Sequence, residues 1–221
     1  MNTIGVTEHT RVRPHRAFVV ICAIIIGTVV GCTGTAQSPR ATEQYVLEYA
    51  EPEVGRNAPA DATITINRFS IAKEYATTDM VYRTAPFSRT AYYYHRWRVT
   101  PADMVTDLLL RDIQRSGMFK ASFPDRHAEK TSYSLGGHVG EFLKIDEGEP
   151  ARAVLGLSAV LIDASEKDAL QRIIFQSSYR AEVPLADRTP AGYARGLSKA
   201  MEAISRSLLN DIHKKLETLT D

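Results

Sequence analysis

Two short signals, Thr100-Pro101 and Thr189-Pro190, constrain the fold more than any other feature of the chain. In each, a threonine hydroxyl stands where it can accept from the first free N–H groups of a helix. Proline then takes the first helical position, where its missing N–H costs nothing. Asp103 adds negative charge in the first turn, which the helix dipole favours. After Thr100, the residues Met104, Val105, Leu108, Leu109 and Ile113 recur at helical spacing until Gly117, the residue type that commonly ends a helix. After Thr189, a longer stripe of Tyr193, Leu197, Ala200, Ile204, Leu208, Ile212 and Leu216 runs to about residue 216. Each helix is apolar on one side only, so each needs another apolar layer to cover.

The rest of the chain supplies that layer as strands. Residues 45–49 place Tyr45, Leu47 and Tyr49 on one face, and the stretch 51–61, with Pro52, Gly55 and Pro59, breaks the pattern. Residues 63–69 are rich in β-branched side chains, strands at 80–83 and 91–97 follow, and Met118-Phe119 leads into a short strand before Pro124. Beyond a charged loop at 124–131, three strands at 133–145, 153–163 and 170–183 are joined by short turns. In the last, Ile173, Phe175, Tyr179, Ala181 and Val183 face one way, and Arg172, Gln176, Ser178, Arg180 and Glu182 mostly the other. Antiparallel pairing with one wet face explains that alternation. The expected architecture is α+β: a mixed, mainly antiparallel sheet with two long amphipathic helices packed on one face.

The first 31 residues have the composition of an export signal rather than of a fold. Arg11, Arg13 and Arg16 form a positive flank, and an apolar run of about 13 residues follows, too short for the roughly 20 of a transmembrane helix. Val29-Val30-Gly31-Cys32 closes it and resembles a lipobox, where a bacterial lipoprotein precursor is cleaved before its lipid-bearing cysteine. Cys22 follows Ile21 inside the apolar run, where cleavage would destroy the signal, so Cys32 is the expected lipidation site. Two alternatives stand beside it: cleavage after Ala36, which would release a soluble protein, and an uncleaved span. The expected domains are a signal at 1–31, a small, polar tether at 32–43 and one globular domain at 44–221. No cofactor is expected beyond the covalent lipid on Cys32.

Composition removes several classes of function. Residues 1–31 hold three of the 27 basic and one of the 26 acidic residues, which leaves the remainder close to neutral. A neutral domain has no general attraction for nucleic acid. Past Cys32 there is no cysteine, so disulfides, a thiol nucleophile and thiolate metal sites are ruled out there. His95, His127, His138 and His213 form no metal-ligand spacing, and Gly136-Gly137-His138-Val139-Gly140 lacks the lysine of a phosphate loop and reads as a strand bend or bulge. Asp146, Glu147 and Glu149 read as a solvated hairpin tip. No catalytic set emerges. The most aromatic stretch is Tyr92-Tyr93-Tyr94-His95-Arg96-Trp97-Arg98. On a strand, Tyr92, Tyr94 and Arg96 share one side and Tyr93, His95 and Trp97 the other. One side is expected to be core; Tyr92, Tyr94 and Arg96 are the candidate partner surface.

The order of these features resembles the ABC-type transport auxiliary lipoproteins. The resemblance rests on the lipobox, an early Tyr-Val-Leu strand, a strand ending in Met80-Val81-Tyr82-Arg83 and a tyrosine-bearing strand closing on Trp97. A helix with Leu108-Leu109 that ends in Ser116-Gly117-Met118-Phe119 continues it, then the hairpins and the long last helix. Ile71-Ala72-Lys73-Glu74-Tyr75 lacks a proline common there, and Arg98 follows Trp97 where alanine is common. The resemblance implies a non-enzymatic role in envelope phospholipid traffic. The implied partners are an MCE-type substrate-binding protein and its ABC permease and ATPase, with phospholipid and further copies of the chain as additional candidates. Thr33, in place of the aspartate that retains lipoproteins at the inner membrane, points to the periplasmic face of the outer membrane, with the inner membrane as the alternative. The run from Leu109 to Phe119 also looks like outer-membrane lipoproteins of the LpoB and CsgG type, which serve as cell-wall synthase activators or secretion components.

Overall fold

The computed structural model describes residues 41–53, 60–125, 130–168 and 170–220. Cys32, the rest of the export signal and the tether up to residue 40 lie outside them, as does His127. Helix α1, Pro101–Ser116, forms where its caps require. The Thr100 hydroxyl accepts from the Asp103 N–H and Gly117 closes the helix with φ 69°. Helix α2, Pro190–Thr220, starts with the Thr189 hydroxyl accepting from the Gly192 N–H at 3.0 Å. The whole predicted stripe of α2, from Tyr193 to Leu216, is buried.

Among the described residues, nine strands make one mixed sheet: β1 (Glu43–Tyr45), β2 (Ala60–Ile66), β3 (Ser70–Ile71), β4 (Asp79–Arg83), β5 (Thr90–Trp97), β6 (Phe119–Pro124), β7 (Tyr133–Ile145), β8 (Arg152–Asp163) and β9 (Ile173–Pro184). The long pairs β7–β8 and β8–β9 are antiparallel, as predicted, as is β4–β5. The short pairs β1–β5, β2–β6, β2–β7, β3–β7 and β4–β7 are parallel. Strand β7 is the hub. One edge bonds β8 throughout; the other serves β2 at Tyr133–Leu135, β3 at His138–Val139 and β4 at Lys144–Ile145 in turn.

The glycine-rich run of β7 makes this sharing possible. The register with β8 shifts between Val139 and Glu141, which leaves Gly140 as the extra residue of a bulge. A Cβ on Gly137 would stand 2.2 Å from the Ser158 carbonyl and 2.3 Å from the Phe69 ring, so only glycine lets these layers meet. Both helices cover one face of the sheet, α2 over β8 and β9 and α1 over β6, β2 and β3. The other face of the long hairpins is wet, with Arg180 paired to Glu141 and Glu182 and Arg152 paired to Glu182.

The first strand is shorter than predicted. Beyond Tyr45 the chain leaves the sheet and crosses the helices, because side chains satisfy it there instead of a ladder. Glu48 N–H donates to the Ser198 hydroxyl at 3.0 Å and Tyr49 Oη donates to the Asp112 carboxylate at 2.6 Å, while Leu47 is buried.

Candidate partner-binding site

Strand β5 carries the predicted surface, but not with the predicted alternation. Asp79 pairs with Arg96 whereas Val81 pairs with Ala91, so β5 uses five steps where β4 uses two. This bulge breaks period two and turns Tyr92 and His95 to the same side, with their rings edge to face at 5.8 Å. Tyr93, expected beside Trp97, is instead 79% exposed. Trp97 is core, as one side of the strand was expected to be; it packs edge-on against Phe142 and Tyr193, both with centroids at 5.4 Å. The Tyr193 hydroxyl donates to the Val81 and Phe142 carbonyls, which ties α2 to the bulge from below.

The three predicted surface residues differ in their surroundings. Tyr94 and Arg96 are exposed, and Tyr92 is half-buried. Arg96 is ion-paired with Asp79 on β4, and Tyr94 packs against Tyr93 with ring centroids at 4.7 Å. Tyr92 belongs to a half-buried aromatic row. It stacks at a tilt on Tyr82 at 4.7 Å, then meets His95, which meets Tyr45 at 5.9 Å. Tyr45 Oη donates to Glu43 at 2.6 Å; burial and that bond push its pKa up to about 12.

Behind the row lies Lys144, only 2% exposed. Its ammonium donates to Tyr92 Oη at 2.6 Å, to Asp146 Oδ2 at 2.7 Å and to the Arg188 carbonyl at 3.2 Å. It also stands 5.0 Å from the Tyr82 ring and 5.2 Å from the Tyr92 ring, a cation–π pair of contacts that desolvation strengthens. Burial pulls its pKa down, but the bonds to Asp146 and Tyr92 outweigh burial and leave it raised. Asp146 also pairs with Arg188 at 3.1 Å, Arg188 with Glu149 at 2.9 Å and Arg83 with Glu147 at 2.6 Å. The acidic turn is therefore not simply a solvated tip: Asp146 and Glu147 are drawn in by Lys144 and Arg83, and only Glu149 is largely exposed.

Sequence reasoning missed Lys144, Arg188 and Tyr82. A usable signal existed for Lys144, a charge between Leu143 and Ile145 in the apolar end of β7, where all three are buried. It also missed Phe87, at the tip joining β4 to β5. Phe87 has φ 62°, a left-handed backbone that costs a non-glycine residue about 1–2 kcal/mol, and it is fully exposed.

A curled mixed sheet with a helix pair on one face and a half-buried aromatic row on the strand next to one edge is the class that this geometry defines. The chain belongs to the family of ABC-type transport auxiliary lipoprotein components, which it matches over residues 45–208. A crystal structure of a protein from Xanthomonas campestris, of the DUF330 family, is similar with a TM-score of 0.72 at 17% identity, covering 81% of this chain and 99% of that one. An uncharacterized protein of known structure gives a TM-score of 0.58 at 12% identity, with 77% and 99% covered. No curated protein matches in sequence.

Proposed function

We propose that the protein is a lipoprotein held through Cys32 at the periplasmic face of the outer membrane. There it docks the conduit of an MCE-type lipid transport system as a non-enzymatic accessory component. The observation that carries the reading is the family match, which spans every strand from β2 to β9, all of α1 and most of α2. The β5 surface supports it. Tyr94 and Arg96 are exposed beside half-buried Tyr92, residue types favoured at interfaces, on a strand held from behind by Lys144. The partner assigned to that surface is the MCE-type substrate-binding protein and, through it, the ABC permease and ATPase.

Affinity capture from cross-linked envelopes tests the partner. Wild-type protein is expected to recover an MCE-type protein, and Tyr94→Ala combined with Arg96→Ala to lower that recovery severalfold. Recovery of a peptidoglycan synthase alone would replace this reading with that of a synthase activator. Palmitate labelling tests the anchor: Cys32→Ala is expected to lose both label and membrane retention, and a variant that keeps the label overturns the assignment.

A further inference from the structure

We propose that the β4–β5 tip is a second membrane contact, in which Phe87 enters the interface of the bilayer that holds Cys32. The inference rests on the lipid-anchor reading above. Its starting point is a large apolar side chain with no cover, on a backbone where glycine would sit without strain. The turn is closed by the Ser88 N–H donating to the Ala85 carbonyl at 3.2 Å, so the ring is presented on a formed loop. Residues 84–88 hold no charge, and the flanking arginines are drawn back from the tip, Arg83 to Glu147 at 2.6 Å and Arg89 to Glu74 at 3.1 Å.

Chain direction commits the tip to lipid. Strand β1 is parallel to β5 with Glu43 beside His95 and Tyr45 beside Trp97. The chain therefore reaches the sheet from the side of β5 that leads back to Thr90 and the tip. From His95 to Phe87 the path along the strand is roughly 25 Å. The eleven residues from Cys32 to Glu43 span at most about 39 Å when extended. That length lets the tip reach the bilayer and forbids the domain from standing far away from it. Leu170, 84% exposed, lies instead in the charged loop that joins β8 to β9 at the opposite end of the hairpins, roughly 40 Å along β8. Charges around the Phe87 end are paired, Lys144 and Arg188 with Asp146 and Arg83 with Glu147, so insertion draws on apolar burial and not on anionic lipid.

The test uses full-length lipidated protein carrying Phe87→Cys, labelled with a nitrobenzoxadiazole fluorophore. Cys32 is blocked by its lipid and Cys22 is removed with the signal, so the introduced thiol is the one that reacts. In vesicles of phosphatidylethanolamine and phosphatidylglycerol, the label is expected to shift to the blue. Nitroxide on carbon 5 of the acyl chains should quench it severalfold more than the same label on Leu170→Cys. Replacing phosphatidylglycerol with phosphatidylcholine, or adding salt, is expected to change neither result. Equal, water-like emission at both positions in protein that carries palmitate overturns the proposal. So does a blue shift without nitroxide quenching, which would place the tip against a second copy or another protein. Wild-type protein without palmitate overturns the anchor reading and this proposal together.

Discussion

Asp112 and Lys144 are both buried charges, 1% and 2% exposed, yet the surroundings of the two have different consequences. Asp112 lies on α1 where it faces α2, and its donors come from outside the sheet: Tyr49 Oη at 2.6 Å, Ser205 Oγ at 2.5 Å and its neighbour Arg111 at 2.9 Å. One carboxylate thus binds the crossing N-terminal segment to both helices. Take it away and a fully buried serine hydroxyl loses its acceptor, while Arg111, stacked 4.5 Å over the Tyr49 ring, loses its anion. Lys144 sits in a redundant set, because Asp146 keeps Arg188 and the turn keeps its Arg83–Glu147 pair when the ammonium is gone. The seam between the helices depends on one charge; the sheet edge behind β5 shares the load among several.

The largest effect should therefore follow Asp112→Ala. Breaking a buried pair by deleting one partner costs about 3–5 kcal/mol, and urea denaturation should show a loss in that range. A loss below about 1 kcal/mol would mean the seam is not a single-point clamp. Lys144→Met keeps the aliphatic length and should cost only about 1–2 kcal/mol, since Asp146 still has Arg188 as its counter-ion and the loss is confined to hydrogen bonds. Its signature is local: amides of β4 and β5 should exchange faster while those of the α1–α2 seam stay protected. Equal losses for the two variants would remove the distinction between them.

Much of this contrast was legible in the sequence on one side and not on the other. The caps at Thr100 and Thr189 and the stripes of α1 and α2 come from local periodicity, so the helices formed as read. Asp112 falls on the buried side of α1 with Val105, Leu109, Ile113 and Ser116, where a helical wheel could have exposed it. The β5 surface resisted for a different reason. Its bulge is set by pairing with β4, and Lys144 is stabilised by Tyr92 and Arg188, which lie 52 and 44 residues away. Period two predicts two faces for an isolated strand and says nothing of a register shift, so Tyr92 and His95 were assigned to opposite sides. The parallel pairings of β2, β3 and β4 with one edge of β7 were hidden likewise, because short strands carry no mark of their partners.

The smallest effect probes the seam through pH. Burial, followed by its bond to Asp112, raises the Tyr49 pKa well above the ordinary tyrosine value. Below about pH 10, folded and unfolded chains both hold the phenol proton, and the bond contributes in full. Above about pH 10 the unfolded chain releases the proton while the folded chain keeps it, so stability falls as pH rises. Tyr49→Phe should cost about 1 kcal/mol at neutral pH through the lost hydrogen bond, and its stability should then decline less steeply in alkali. A residual decline is expected from Tyr45 and Tyr75, pushed up to about 12 chiefly by burial, and from Tyr179 and Tyr193, which burial raises as well. Lys144 adds a later loss of the same sign, because its raised pKa keeps it charged until the pH climbs past the ordinary lysine value. Urea midpoints between about pH 8 and about pH 11 for both proteins decide the matter. Parallel curves would show that the Tyr49 phenol is not held against Asp112, and the single-charge account of the seam would fall with it.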